Sequence, residues 1–154
     1  MGQGTENSRD IKATSEIIYR ALIDPKALEV WQAPGDMTTK IHNFDLRVGG
    51  GYQMSLFYPG SEKKMTGKTV GKEDRFTTRF LELIPNKKIV QAINFDTSNP
   101  GFMGEMIMEI TLKPIDSRTT TVTFTFKNIP KGIKPADNEA GTISSLEKLA
   151  RYVE

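Results

Sequence analysis

The chain has no cysteine, one histidine and one tryptophan in 154 residues, and each scarcity removes some chemistry. Without cysteine there are no disulfides, thiol nucleophiles or thiolate metal ligands, which fits a reducing compartment. A single histidine, His42, cannot build a zinc site alone, and there is no second one to complete a relay with Ser144 or Ser145. No stretch approaches the roughly 18 apolar residues that cross a bilayer. The N-terminus, MGQGTENSRD, lacks the apolar core of a secretory leader and the Ser or Thr of a myristoylation signal. An excess of one charge is missing as well. Twenty-one basic residues face 19 acidic ones, a net of +2, and no basic block marks a nucleic-acid surface. These absences lead to the expectation of a cytoplasmic protein with no metal, no cofactor, no nucleic-acid partner and no membrane insertion.

With 37% hydrophobic and 26% charged residues, the chain is long enough for one sizeable core. Residues 1–9 are polar and glycine-containing, and read as a flexible start to a single domain over 10–154. A short extended piece near Asp10–Ala13 precedes a helix over Ser15–Ile23, capped by Thr14 or Ser15. Asp24-Pro25 then restarts a helix, an N-cap carboxylate followed by proline at the first helical position. It should end near Trp31, before Pro34-Gly35.

From Met37 to Lys127 the pattern is that of strands. KIHNFDLRV alternates His42, Phe44, Leu46 and Val48 against Asn43, Asp45 and Arg47, and three glycines then turn the chain. GYQMSLFY puts Tyr52, Met54 and Leu56 on one face. PGSEKK is another turn, and Met65–Asp74 reads as an edge strand or a loop. RFTTRFLELI, KKIVQAINF, FMGEMIMEITL and TTTVTFTF complete one antiparallel meander. A final helix, about Ala136–Val153, carries Ile143, Leu146, Leu149, Ala150 and Val153 at helical spacing. Gly141 inside it costs about 1 kcal/mol relative to alanine. Either something passes close to the backbone there, space is kept open, or the helix frays at its start.

One long helix must cover one face of the sheet. A twisted sheet cannot touch a straight cylinder along its whole length, so a wedge is left between them where a ligand would sit.

The segments IIYRALIDPKALEVW, FDLRVGGGYQM, RFLELIPNKKIVQ and NEAGTISSLEKLA, in order from about Ile11 to Glu154, resemble the START-like (SRPBCC) helix-grip superfamily. More narrowly they resemble homologues of the activator of heat-shock protein 90 ATPase. The resemblance implies an α+β fold, with a curved antiparallel sheet wrapped around a long C-terminal helix and two short helices after the first strand. The wider superfamily includes lipid and hormone carriers, polyketide cyclases and aromatases, and a self-sacrificing antibiotic-resistance protein. Many relatives have tryptophan directly after the helix glycine, where this chain has Thr142; the swap should enlarge or polarise the cavity near the helix start.

FMGEMIMEI, residues 102–110, packs three of the seven methionines into six positions. Alternation faces Met106 and Met108 with Ile110 one way, and Glu105 and Glu109 the other. Methionine is unbranched and polarisable, so the cluster suits either ordinary core filling or a cavity wall that adapts to its guest. With the implied fold, Met54, Ile93 and Phe95 would share that wall. Leu146 and Leu149 would line it from the helix and Phe44 from the first meander strand. His42, Gln91, Thr142 and Ser145 would orient a guest. Trp31 either lids the mouth or simply packs. His42 is a structural residue or, in a cyclase- or hydrolase-like alternative, a proton carrier. Glu105 and Glu109, roughly 13 Å apart along a strand, are too distant to work as an acid–base pair. Asp45 and Arg47 read as a structural ion pair. Two partner classes follow, a small apolar or amphipathic molecule and, by the family's namesake, a chaperone.

Overall fold

The computed structural model describes residues 3–33, 36–57 and 73–154. Strand β1 (Gln3–Ile11) leads into helices α1 (Ser15–Ile23) and α2 (Pro25–Trp31), then strands β2 (Thr38–Asp45) and β3 (Gly51–Phe57). Strands β4 (Glu73–Ile84), β5 (Lys88–Phe95), β6 (Met106–Pro114) and β7 (Thr120–Ile129) follow, and helix α3 (Pro135–Val153) closes the chain. The expected turn at PGSEKK and the Pro34-Gly35 helix stop lie outside the described residues. So does most of Met65–Asp74, whose last two residues begin β4.

All seven strands form one antiparallel sheet in the order β1-β7-β6-β5-β4-β3-β2. It is curved around its helices, an α+β helix-grip architecture. The polar start of the chain, expected to be flexible, is strand from Gln3 onward and pairs with β7. Its polarity suits an edge strand. Ser8 bonds Thr123 at 2.7 Å, while Thr121 donates to Asp10 at 2.7 Å and Thr125 to Glu6 at 3.2 Å. Composition hides such a strand because its partner lies 115 residues further along at Ser8. Pairing β1 with the last strand puts β2 at the opposite edge, so α1 and α2 must carry the chain across the sheet.

Local chemistry sets the helix boundaries as expected. Thr14 Oγ1 accepts from the Ile17 amide at 3.3 Å, and Asp24 Oδ1 from the Lys26 amide at 3.0 Å, with Pro25 opening α2. Trp31 packs and is not a lid. It is 1% exposed, its indole N–H donates to the Ala21 carbonyl at 2.8 Å, and its ring meets Phe124 edge-on at 6.1 Å. One side chain thus ties α2 to both α1 and β7.

Two face assignments change. Strand β2 stops at Asp45, leaving Leu46 and Val48 exposed. Within it Asn43 adopts φ 53°, a left-handed conformation that asparagine tolerates, at an irregularity between His42 and Asp45. The alternation therefore slips, and His42 and Phe44 point to opposite faces. On α3, Ile143 is 53% exposed, while Thr142, Ser145, Leu146, Leu149 and Ala150 are buried. The buried stripe is centred between Leu149 and Leu146, and Ile143 lies at its edge.

The glycine run is explained by close approach. A Cβ on Gly51 would lie 1.8 Å from the Thr78 carbonyl oxygen, and Gly49 has φ +90°. Gly49 donates to the Phe80 carbonyl at 2.9 Å, and Phe80 to the Gly50 carbonyl at 2.8 Å. The run thus stitches the β2–β3 turn onto β4.

Replacing Trp31 by alanine should lower stability by about 3–5 kcal/mol, the usual range for a large buried aromatic. Urea unfolding followed by far-UV circular dichroism measures it, and a loss below about 1 kcal/mol would contradict this account of Trp31.

Candidate functional site

A cavity of about 230 Å³ opens between the sheet and the first half of α3. Its sheet side is apolar, built from alternating inward positions of five strands: Met54 and Leu56, Phe76, Ile93 and Phe95, Met106 and Met108, and Phe124 and Phe126. Its helix side is polar, with Asp137, Asn138, Thr142 and Ser145 on α3 and Gln32 just after α2. Gly141 lines it too. Helix α3 starts six residues earlier at Pro135 and runs unbroken through Gly141, so that glycine marks kept space and not a frayed start. Ile133, in the loop before α3, and the exposed Asp137 place the mouth at that end. There the Gly132 amide donates to the Gly101 carbonyl, and Phe102 meets Phe95 edge-on at 6.5 Å, tying two connecting loops together.

Of the residues anticipated for a site, Met54, Ile93, Phe95, Met106, Met108, Thr142 and Ser145 line this cavity. The others lie elsewhere, each for a physical reason. His42 pairs across the strands with Gln53, on the face opposite Met54, and its Nε2 lies 3.2 Å from Ser55 Oγ. Phe44, returned inward by the slip at Asn43, stacks on Tyr52 at 5.5 Å and meets Phe80 edge-on at 6.1 Å. Leu146 and Leu149 are 2% and 0% exposed in the core beneath α3. Gln91 is buried on the inner face one position from the wall, directly across from Met108. Trp31 is core, as described above.

Several wall residues were not anticipated. Leu56, Phe76, Phe124 and Phe126 were legible, since each shares an alternating face with a wall or core position. Gln32, Ile133, Asp137, Asn138 and Gly141 follow no strand alternation, because they come from loops and from the start of a helix.

The polar groups on α3 are mostly engaged. Thr142 Oγ1 donates to the Asn138 carbonyl at 2.8 Å, Ser145 Oγ to the Gln32 carbonyl at 2.9 Å, and Thr5 Oγ1 to Asn138 Oδ1 at 2.5 Å. Each oxygen still has accepting capacity toward a guest. The acidic outer face carries ordinary ion pairs: Lys88 lies 3.3 Å from both Glu82 and Glu109, and Arg79 lies 3.5 Å from Glu105. Arg47 Nε bonds Asp45 Oδ2 at 2.8 Å on the surface, as its spacing suggests. Among the described residues no group of three or more His, Asp or Glu is placed to hold a metal ion.

Beside the cavity floor, on the same inner face of the sheet, lies a buried polar quartet. Tyr52 and Thr78 are cross-strand partners, Gln91 sits on the adjacent strand opposite Phe80, and Gln32 reaches in from the end of α2. The side chains of Gln32, Thr78 and Gln91 come near enough to the Tyr52 hydroxyl to affect its ionisation. None reaches it with hydrogen-bond geometry, however, and the Tyr52 hydroxyl, Thr78 Oγ1, Gln32 Oε1 and Gln91 Oε1 are all buried without a partner. Burial pushes the Tyr52 phenol above its ordinary value near 10, and its three polar neighbours pull it partly back.

With this geometry in view, comparison with known proteins places the chain. Residues 12–154 match the family described as Activator of Hsp90 ATPase homolog 1-like protein. The chain belongs to that family. A crystal structure from Chromobacterium violaceum has 32% identity over 99% of this chain and 98% of its own, with a TM-score of 0.84. A solution structure from Arthrobacter aurescens shares the fold at 14% identity, with a TM-score of 0.81 over 97% of this chain and 85% of its own. A crystal structure from Rhizobium loti does so at 24% identity and a TM-score of 0.72, over 98% and 96% of the two chains. Comparison with curated proteins gives no match. The family's helix-grip fold thus holds for this chain, and among the described residues no helix is long and apolar enough to cross a membrane.

The raised Tyr52 pKa has a stability consequence. Below pH 10 the phenol is protonated whether the chain is folded or not. Above that, the unfolded chain loses the proton first, so stability falls as pH rises through the unfolded value toward the folded one. Chemical unfolding between pH 8 and about 11 should show this decline, and Tyr52→Phe should make it shallower. An unchanged slope in the variant would argue against the buried phenol.

Proposed function

We propose that the protein binds a small apolar or amphipathic molecule in the cavity between the sheet and α3. The observation that carries this reading is the cavity itself, 230 Å³ with an apolar sheet wall and a polar helix rim. Cavities lined by apolar side chains with a few placed polar groups are the common form of a small-molecule site. An engineered apolar cavity of about 150 Å³ accommodates benzene, which scales to roughly nine or ten non-hydrogen atoms here. The guest is thus about the size of a fused pair of small rings or a medium acyl chain. Affinity would come mainly from apolar burial, about 25 cal/mol per Å² before ordering costs. Three methionines on the floor, Met54, Met106 and Met108, allow the wall to reshape around it.

The cyclase- or hydrolase-like alternative loses its proton carrier, because His42 faces away from the cavity. The chaperone alternative would use the outer surface and is supported by the family description alone. An ATPase assay of a heat-shock protein 90 chaperone with and without this protein separates it from small-molecule binding.

Indane, a nine-carbon bicycle, is a suitable probe. Thr142→Trp places a large ring at the cavity wall and should weaken indane binding by at least ~10-fold in titration calorimetry, with the fold intact by circular dichroism. Glu109→Lys, on the outer face, should leave it within ~2-fold. Equal losses in both, or no loss in Thr142→Trp, would refute the assigned site. Native mass spectrometry of gently purified protein tests the same reading through a retained guest.

A further inference from the structure

The quartet beside the cavity floor has more polar capacity than the fold uses. Its three strand members each adjoin a wall residue: Thr78 pairs with Ile93 and Gln91 with Met108, while Tyr52 lies two positions from Met54 on the same face. Gln32 belongs to both, since it lines the cavity and carries one of the unpartnered oxygens. Buried polar groups in folded proteins are nearly always paired, so four unpaired oxygens in one place call for an occupant. We propose that Gln32, Tyr52, Thr78 and Gln91 form the polar end of the ligand site and select a guest with one uncharged group that both donates and accepts hydrogen bonds, such as a hydroxyl or a primary amide. This rests on the binding reading above and adds the class of ligand to it.

The chemistry of the four groups makes that choice. Two hydroxyls each donate and accept, and two carboxamides each offer an acceptor and donors; turning an amide over exchanges its ends without removing either capacity. An ether or ketone on the guest would leave the amide acceptors unpaired. A carboxylate or ammonium would be stripped of water with no opposite charge in the quartet, which is costly. The unbranched floor residues Met54 and Met108 are the parts able to move aside as a guest's polar end reaches the quartet.

A matched pair of probes tests this: indane and 5-indanol, which differ by one hydroxyl. The wild-type protein should bind 5-indanol at least ~10-fold more tightly than indane, since a site built to bond a hydroxyl discriminates strongly against the analogue without one. Tyr52→Phe and, separately, Gln91→Leu should each pull that ratio toward one by weakening 5-indanol binding more than indane binding, with the fold intact by circular dichroism. Tyr52→Phe deletes a single unpartnered oxygen, so folding should survive it; Gln91→Leu supplies an independent variant. If indane binds but the wild type shows no preference, or the preference persists in both variants, the quartet is not the polar end and its oxygens serve only the fold. If neither probe binds the wild type, the cavity reading itself falls, and this inference with it.

Discussion

The rest of this structure depends on a mismatch of widths. Seven strands at about 4.8 Å spacing make a sheet about 29 Å wide, and a helix is only about 10–12 Å across. One helix cannot cover that face. Helix α3 packs against β1 and against α1 and α2, while α2 lies along β2 and α1 touches β6. The inner face must still bury Phe80, Ile89, Ile110, Val122 and their neighbours. Cover is complete where all three helices converge, around Trp31, Leu146 and Leu149. Toward the start of α3, among the described residues, that helix and the end of α2 face residues of five strands, and the cavity lies between them.

The residues at that gap divide by the element that supplies them. Strands contribute inward alternate positions, which must be apolar wherever they meet the core, so the wall is methionine, phenylalanine and isoleucine. The helix contributes its buried stripe, which changes character along its length. Leu146, Leu149 and Ala150 continue the core, whereas Asn138, Gly141, Thr142 and Ser145 are small or polar. A leucine or tryptophan at the latter positions would complete the core and close the space. The helix thus gives up apolar burial over about its first three turns, at a cost in stability, and the cavity is what that cost maintains.

Much of the fold was legible because periodicity reports burial. Both early helices carry explicit caps at Thr14 and Asp24, and the meander strands alternate cleanly wherever one face meets the core. Legibility failed where pairing or curvature replaced periodicity. Strand β1 is polar because it lies at an edge, and only its distant partner makes it a strand. The slip at Asn43 moved His42 away from Phe44, a one-residue event that reverses every facing beyond it. The candidate site shows the same division. Met54, Ile93, Phe95, Met106 and Met108 come from alternation, whereas Gln32 and Asp137 belong to the cavity through the packing of helix against sheet. The quartet was hidden for a different reason. Tyr52 was read as one member of an apolar face, and nothing in its own strand indicates that Thr78 and two glutamines converge on its hydroxyl.

The same placement of charge bears on binding against turnover. General acid–base catalysis needs a group whose pKa lies near the working pH, within hydrogen-bond reach of the guest. Among the described residues lining the cavity, Asp137 is the only titratable one, and it sits exposed at the mouth. Asp74 is buried directly across from the wall residue Leu56, and the Tyr52 phenol, also buried beside the wall, is moved further from neutrality by its burial. His42, the single histidine, lies within hydrogen-bond distance of Ser55 on the opposite face of the sheet. Among the described residues the cavity is lined by sulfur, aliphatic and aromatic carbon on the sheet side and by small or polar groups on the helix side, with its one titratable lining residue, Asp137, at the mouth.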